Sequence, residues 1–244
     1  MLLARSTQIA ANLWQFTTAT NSHFAFNCYL IVGDKTALIH TGKPSQFNQM
    51  LKLLEQALAG QTLDYVLFSH VEADECGALA TLFTQFPNCQ VVCNKVAAIS
   101  LNEMLQNPPR VLKDGESLSL GQYQLTLLDT AHFPHNWDGH LWYCQELACL
   151  FSSDYCSLGG IHPPTVQEDL SQQMLAFMEQ GNFITHGAGI SQITERLAHL
   201  PVQLIATMHG PATQGHAAAS VLKNIHNAWL KKAQLALNEL KPLQ

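Results

Sequence analysis

Charge is what this sequence of 244 residues has least of. Asp, Glu, Lys and Arg together make up 12% of it, against about 25% in an ordinary soluble chain. Basic residues are the scarcer sign: 12 Lys and Arg face 18 Asp and Glu, a net charge of −6. They are also scattered, with Lys231-Lys232 the densest pair, so there is no basic face for nucleic acid. No apolar run approaches the roughly 18 residues of a membrane span. The opening Met1-Leu2-Leu3-Ala4-Arg5 is too short for a secretory signal, and the expectation is a cytoplasmic, soluble protein. Cys-x-x-Cys is absent and the cysteine count, seven, is odd. Most of the cysteines sit in apolar runs, which predicts reduced, buried thiols and not the disulfide frame of a small secreted domain. No linker, repeat, low-complexity tract or Gly-rich phosphate loop divides the chain, so residues 1–244 are read as a single domain.

What the sequence does have is histidine, 12 of them, and a strand-rich half followed by a similar one. Asn27–Val32, the turn Gly33-Asp34-Lys35 and Thr36–His40 predict a tight hairpin. Helical spacing at Phe47, Met50, Leu51, Leu54 and Leu58 predicts a helix over 46–58, ended by Gly60. Leu63–Ser69 and Cys89–Cys93 read as strands around a helix at 77–86. A second half begins near Asp114-Gly115-Glu116, with strands at 123–128, 140–144, 148–152 and 202–208. Helices follow at about 166–180, 190–199 and 216–240. Two β-rich halves with helices outside predict an α/β fold, a four-layer αβ/βα sandwich.

The polar clusters each fall just past an apolar strand, where side chains can converge on one sheet edge. They are Ser69-His70-Val71-Glu72-Ala73-Asp74-Glu75, Thr130-Ala131-His132-Phe133-Pro134-His135, Ser153-Asp154 and His209-Gly210-Pro211. One such cluster could be a turn or a solvated helix start. Four in this order, each behind a strand, point to a metal site.

In these segments the sequence resembles the metallo-β-lactamase superfold and, within it, the flavodiiron proteins. The hydrolases of the superfold carry His-x-His-x-Asp-His, and the flavodiiron proteins replace the second His by Glu, as His70-x-Glu72-x-Asp74 does here. His132-Phe133-Pro134, Leu150–Asp154 and Ile205–Pro211 match the later ligand segments, and Asn27–Val32 with Ala37–Gly42 match the opening hairpin. The resemblance implies a first metal held by His70, Glu72 and His132 and a second by Asp74 and His209, with Asp154 bridging. It implies two iron ions, with manganese or zinc as other occupants, because Glu72 exchanges a nitrogen for a hard oxygen. A head-to-tail homodimer is also implied.

There are two departures from the pattern. Glu75 stands where the family has its last His, and His40 where an Asp commonly ends the second strand. His40 is read as supporting a ligating Glu75, with His135 the nearest substitute should Glu75 not ligate. Tyr155, next to the bridging Asp, is read as shaping the oxygen pocket. Among the other histidines, His23 and His162 are expected to line a pocket, and His140 and His186 to sit in loops or at element ends. His199 and His226 are expected to face solvent from helices. Glu72, Asp74, Glu75 and Asp154 would neutralise two divalent ions without a bridging hydroxide, lowering the reduction potential. No flavin-holding segment follows the metal segments in this sequence. The function expected is therefore a diiron protein that binds or senses dioxygen, or slowly reduces dioxygen or nitric oxide with an external electron donor or signalling partner. The other class considered is a metal-dependent hydrolase, and a third a scaffold that has lost its metal.

Overall fold

Two strands precede the expected hairpin, β1 (Leu3–Ala10) and β2 (Leu13–Ala19), paired antiparallel. The hairpin itself is β3 (Phe26–Val32) and β4 (Thr36–Ile39). Helix α1 (Pro44–Leu58) starts two residues before the predicted position because Pro44 is accommodated at its first turn, where an N–H would be unpaired anyway. Then come β5 (Tyr65–Leu67), α2 (Leu79–Gln85), β6 (Gln90–Cys93), α3 (Lys95–Ser100) and β7 (Arg110–Val111), which complete a seven-stranded sheet in sequential order. Strands β4 to β7 run parallel.

The chain changes sheets between residues 111 and 117, where Asp114-Gly115-Glu116 marks the start of the second half. The second sheet contains β8 (Ser117–Ser119), β9 (Gln124–Asp129), β10 (His140–Cys144), β11 (Cys149–Ser153), β12 (Thr165–Val166), β13 (Leu204–Thr207) and β14 (Ala212–Gln214). Its order is β12-β14-β13-β11-β10-β9-β8. Helices α4 (Ser171–Gln180), α5 (Ala188–Ala198) and α6 (His216–Glu239) accompany it. The computed structural model describes residues 3–239 except 103, 106 and 184–187. His186 and the expected last-helix residue Leu240 lie outside the described residues.

Side-chain alternation along the strands builds the layers, since successive residues of a strand face opposite ways. Tyr29, Ile31, Ala37 and Ile39 turn to the space between the sheets, where they meet Leu127, Trp142, Phe151 and Ala206. Cys28, Leu30 and Leu38 turn outward onto Phe47, Met50 and Leu54 of α1. Leu150 and Ile205 turn outward on the other side, against Met174 of α4 and Leu222 and Ile225 of α6. Three apolar seams between four layers are the αβ/βα sandwich. All seven cysteines are free and buried. Burial pushes their thiols up, Cys76 and Cys93 to about 12. No helix of the described residues is long and apolar enough to cross a membrane.

Candidate metal centre

The C-terminal ends of β4, β5, β9, β11 and β13 share one edge of the sandwich, the place where open α/β sheets gather ligands. The segments 69–75, 130–135 and 154 and residue 209 begin there. The backbone pays for this convergence in local strain: His40 (φ 67°), His132 (φ 68°) and Ser153 (φ 53°) occupy the left-handed region, which costs a non-glycine residue roughly 1–3 kcal/mol.

His70, Glu72, His135 and Asp154 bring one donor atom each to within 4.8 Å of one another, as do Glu72, Asp74 and Glu75. The Oε2 atom of Glu72 is 2.9 Å from Nε2 of His70 and 3.0 Å from Nε2 of His135. Asp154 joins the first group to His209. Its Oδ2 is 3.6 Å from His70 and 3.5 Å from His135, while its Oδ1 is 3.3 Å from Nε2 of His209. His209 in turn is 3.5 Å from Oδ2 of Asp74. Glu75, fully buried, sits 3.8 Å from His70.

All three converging imidazoles are held by their outer nitrogen, leaving Nε2 for the centre. Nδ1 of His70 meets the Ser69 hydroxyl at 3.0 Å, that of His135 the Phe183 carbonyl at 2.9 Å, and that of His209 the Ala25 carbonyl at 2.9 Å. This outer hydrogen bond is what fixes the ring and tautomer of metal-ligating histidines. Ser69 also meets Ser153 at 2.6 Å, joining the ends of β5 and β11.

The electrostatics are those of a cluster of carboxylates at close quarters. Burial pushes the Glu75 carboxyl well above its usual range, and Asp154, Asp74 and Glu72 push it further. Neither of its oxygens meets a hydrogen-bond partner among the described residues, and the same holds for both ring nitrogens of the buried His40. A buried carboxylate without donors costs several kcal/mol, and a divalent ion is the group that would satisfy it. Hydrogen bonds from His135 and His70 hold Glu72 below the carboxylate range. Burial opposes the charge on His135, but Glu72 and Asp154 outweigh it and lift the ring to about 9. His209 is likewise raised against its burial by Asp154, whose own carboxyl His209 lowers against its burial. Burial, helped by the neighbouring His70, drives His40 down to about 3 and His140 to about 4. Two imidazoles with two carboxylates on one side, and one imidazole with carboxylates on the other, form a donor set suited to non-haem iron.

Several expected placements are corrected. The second imidazole of the first group is His135, whereas His132 is exposed and stands outside both groups. The reason is Phe133, which is buried against Tyr155 and Trp229 at ring distances of 5.1 and 5.9 Å. Anchoring Phe133 in the core turns His132 outward and carries the chain back toward the centre three residues later. Tyr155 lines no part of the cleft; the tight turn at Ser152–Tyr155 swings its ring into the seam under α6. His226 does not face solvent. It is buried and meets Thr194 at 2.9 Å, tying α6 to α5. His140 stands at an element end as expected, the buried first residue of β10. His23 and His162 lie outside the cleft lining, and His199 is exposed.

Three further residues hold the centre together from a distance. Asn27 donates to the carbonyls of Thr207 (3.0 Å) and Gly210 (2.8 Å), and Tyr29 donates to Thr207 (2.7 Å), so β3 carries the His209 turn. Asp138 accepts from the Val71 backbone at 2.8 Å and so pins the 69–75 loop to the His135 loop. A cleft of about 640 Å³ opens above the centre between Phe24, Phe26, Lys43 and Phe183, with Glu72, Asp74, His135, Asp154 and His209 in its floor.

The family described as "ODP family beta lactamase" matches residues 24–210. Among curated relatives, the anaerobic nitric oxide reductase flavorubredoxin of Vibrio vulnificus is 29% identical over 76% of this chain and 40% of its own length. The flavorubredoxin of Klebsiella pneumoniae is 31% identical over 76% of this chain and 40% of its own. The chain thus spans about two fifths of the length of the curated relatives it matches. The crystal structure of the flavodiiron protein from Giardia intestinalis superposes with a TM-score of 0.82 at 20% identity, covering 93% of this chain and 60% of that one. Rubredoxin oxygen:oxidoreductase from Desulfovibrio gigas gives 0.78 at 19%, covering 94% and 62%. At such identities the solved structures speak for the fold.

Proposed function

The chain belongs to the ODP family of beta lactamases, and from that premise we propose that it is a non-haem diiron protein that binds dioxygen. The observation that carries this reading is the donor set, four carboxylates and three inward-facing imidazoles with Asp154 spanning both sides. His70, Glu72 and His135 would hold the first ion and Asp74, Glu75 and His209 the second, with Asp154 placed to serve both. A pair of iron ions bound there would supply the redox chemistry toward dioxygen or nitric oxide.

The chain's own residues set what that pair experiences. Four carboxylates balance two divalent charges without help, and Glu75 adds its charge from a fully buried position, where Coulomb effects are least screened. Such a surplus of anionic oxygen favours the higher-charged metal state and therefore retention of the ligand over fast turnover. Phe24 and Phe26 pack edge-on against His209, each at 5.2 Å between ring centres, and limit water on that side. Electrons for slow reduction would come from an external donor, or the signal read from binding would pass to an external partner. A head-to-tail homodimer belongs to the same reading.

The test is metal analysis together with optical spectra of the anaerobic, reduced protein before and after air. Two irons per chain and a new visible band that reverses on removing oxygen are expected. Zinc in a colourless protein would replace the reading with a hydrolytic one, and a protein that takes up no metal would leave a bare scaffold.

A further inference from the structure

The cleft above the centre is not the only approach to it. A second cavity, also about 640 Å³, lies behind the 69–75 loop, between α2 and the segment that follows α3. Its walls include Leu79, Phe83, Val91 and Leu101, and among the described residues the only charged side chain lining it is Glu72. The two spaces differ sharply in chemistry. The front cleft is lined by Lys43, Asp74, Asp154 and two histidines besides Glu72, and the back cavity is mostly apolar, with Thr84, Gln90 and Asn107 its neutral polar side chains. They share two residues, Val71 and Glu72, so the back cavity reaches the far side of the first metal group.

Building on the reading of the centre as one that takes up oxygen, we infer that the back cavity is a binding site for small uncharged diatomic gases and passes them to the Glu72 side of the centre. Apolar walls hold an apolar gas better than water does. Cavities of about 150 Å³ with such walls take up xenon. A front cleft carrying a lysine, carboxylates and imidazoles suits ions and water. Glu72, with nearly half of its side chain accessible, is the one ligand candidate that both spaces reach. Charged and uncharged ligands would therefore arrive at the same ions from opposite sides.

The experiment uses the full chain, with xenon as the probe of the cavity and oxygen, nitric oxide and azide as probes of the loaded centre. Ala80 and Thr84 lie one helical turn apart on α2, both exposed and both lining the cavity, so Ala80→Phe and Thr84→Phe fill it without touching a ligand candidate. Xenon is expected in the wild-type cavity and absent from either filled variant. In those variants, association and dissociation of oxygen and of nitric oxide should slow by the same factor, several-fold, leaving affinity unchanged, because a pathway alters both directions equally. Azide, an anion entering from the front, should bind at the wild-type rate. No xenon in a wild-type protein that still takes both gases would overturn this inference alone. Xenon displaced with neither gas slowed would overturn it too. Xenon bound in a protein whose metals take up neither gas would overturn the delivery together with the reading of the centre.

Discussion

His135 and His132 are three residues apart and differ in almost everything that decides ligation. His135 has its outer nitrogen on the Phe183 carbonyl and its inner nitrogen 3.0 Å from Glu72, while His132 is exposed outside the cluster. His135→Ala should therefore lose the first ion, bringing metal content toward one per chain, while His132→Ala keeps two; elemental analysis of both variants decides it. Glu75 makes a second contrast. In the stripped protein it is a buried carboxyl with no hydrogen-bond partner among the described residues, so Glu75→Gln should stabilise the metal-free form and weaken metal binding in the loaded one. Urea unfolding with and without iron would show the two opposite signs. The pH dependence of the stripped protein follows from the same groups. Glu75, His135 and His209 bind their protons more tightly when folded, so the stability each adds is complete below its ordinary value, 4.5 for the acid and 6.5 for the imidazoles. It is lost as pH rises, through about 9 for His135. Glu72 and Asp154 act the other way, and their contribution is lost as pH falls below 4.5 and 3.8. His40 and His140, both held below 6.5 chiefly by burial, also lose their contribution as pH falls below 6.5. Stripped protein should therefore be most stable near pH 6.5, and a denaturation midpoint that keeps rising to pH 9 would contradict this.

At the scale of elements, β3 is a strut as well as a strand. Asn27 and Tyr29 reach across to the β13 turn that presents His209, and Thr17 donates to the remaining oxygen of Asn27 at 2.8 Å. Asn27→Ala leaves the Gly210 carbonyl and the Thr17 hydroxyl without these partners and the Thr207 carbonyl with Tyr29 alone, for which about 2–4 kcal/mol is expected, with weaker binding of the second ion. Urea titration and metal competition would measure the two effects separately. Such elements also show what could be read from the residues alone. The hairpin at 27–40, α1, the strand at 140–144 and all four ligand segments were legible because apolar alternation or helical spacing bounded them. β1 and β2 were not, because Gln15, Thr17 and Thr18 put buried polar side chains where an alternation rule wants apolar ones. Their hydrogen bonds to Tyr29, Asn27 and Gln46 are what make that burial tolerable. His135 was legible only as a neighbour, since the choice between two histidines rests on Phe133 being buried against residues far along the chain. Asp138 carries no signal of its own, as its role exists only once the 69–75 and 130–139 loops meet.

For the whole molecule, the decisive point is that neither sheet owns the centre. His70, Glu72, Asp74 and Glu75 follow β5 of the first sheet, and His135, Asp154 and His209 follow strands of the second. The seam between the sheets is apolar for most of its depth and turns anionic only at the metal edge, so without cations that edge pushes apart what the core pulls together. Metal held there is a clamp between halves, and its binding energy appears as folding energy. With free metal at about a hundred times the dissociation constant, one site adds about 2.7 kcal/mol, which for a chain of this size is a rise in Tm of roughly 5–10 °C. Asp154, whose Oδ2 faces His70 and His135 and whose Oδ1 faces His209, should carry the coupling between the two ions. Asp154→Asn should cut the metal-induced rise in Tm by more than the loss of either flanking ligand, and should leave any remaining ion binding independently of its neighbour. Calorimetry of wild type and variant across an iron titration reads both quantities. A variant that kept the full rise and two coupled binding events would show that the two halves are held by some other contact.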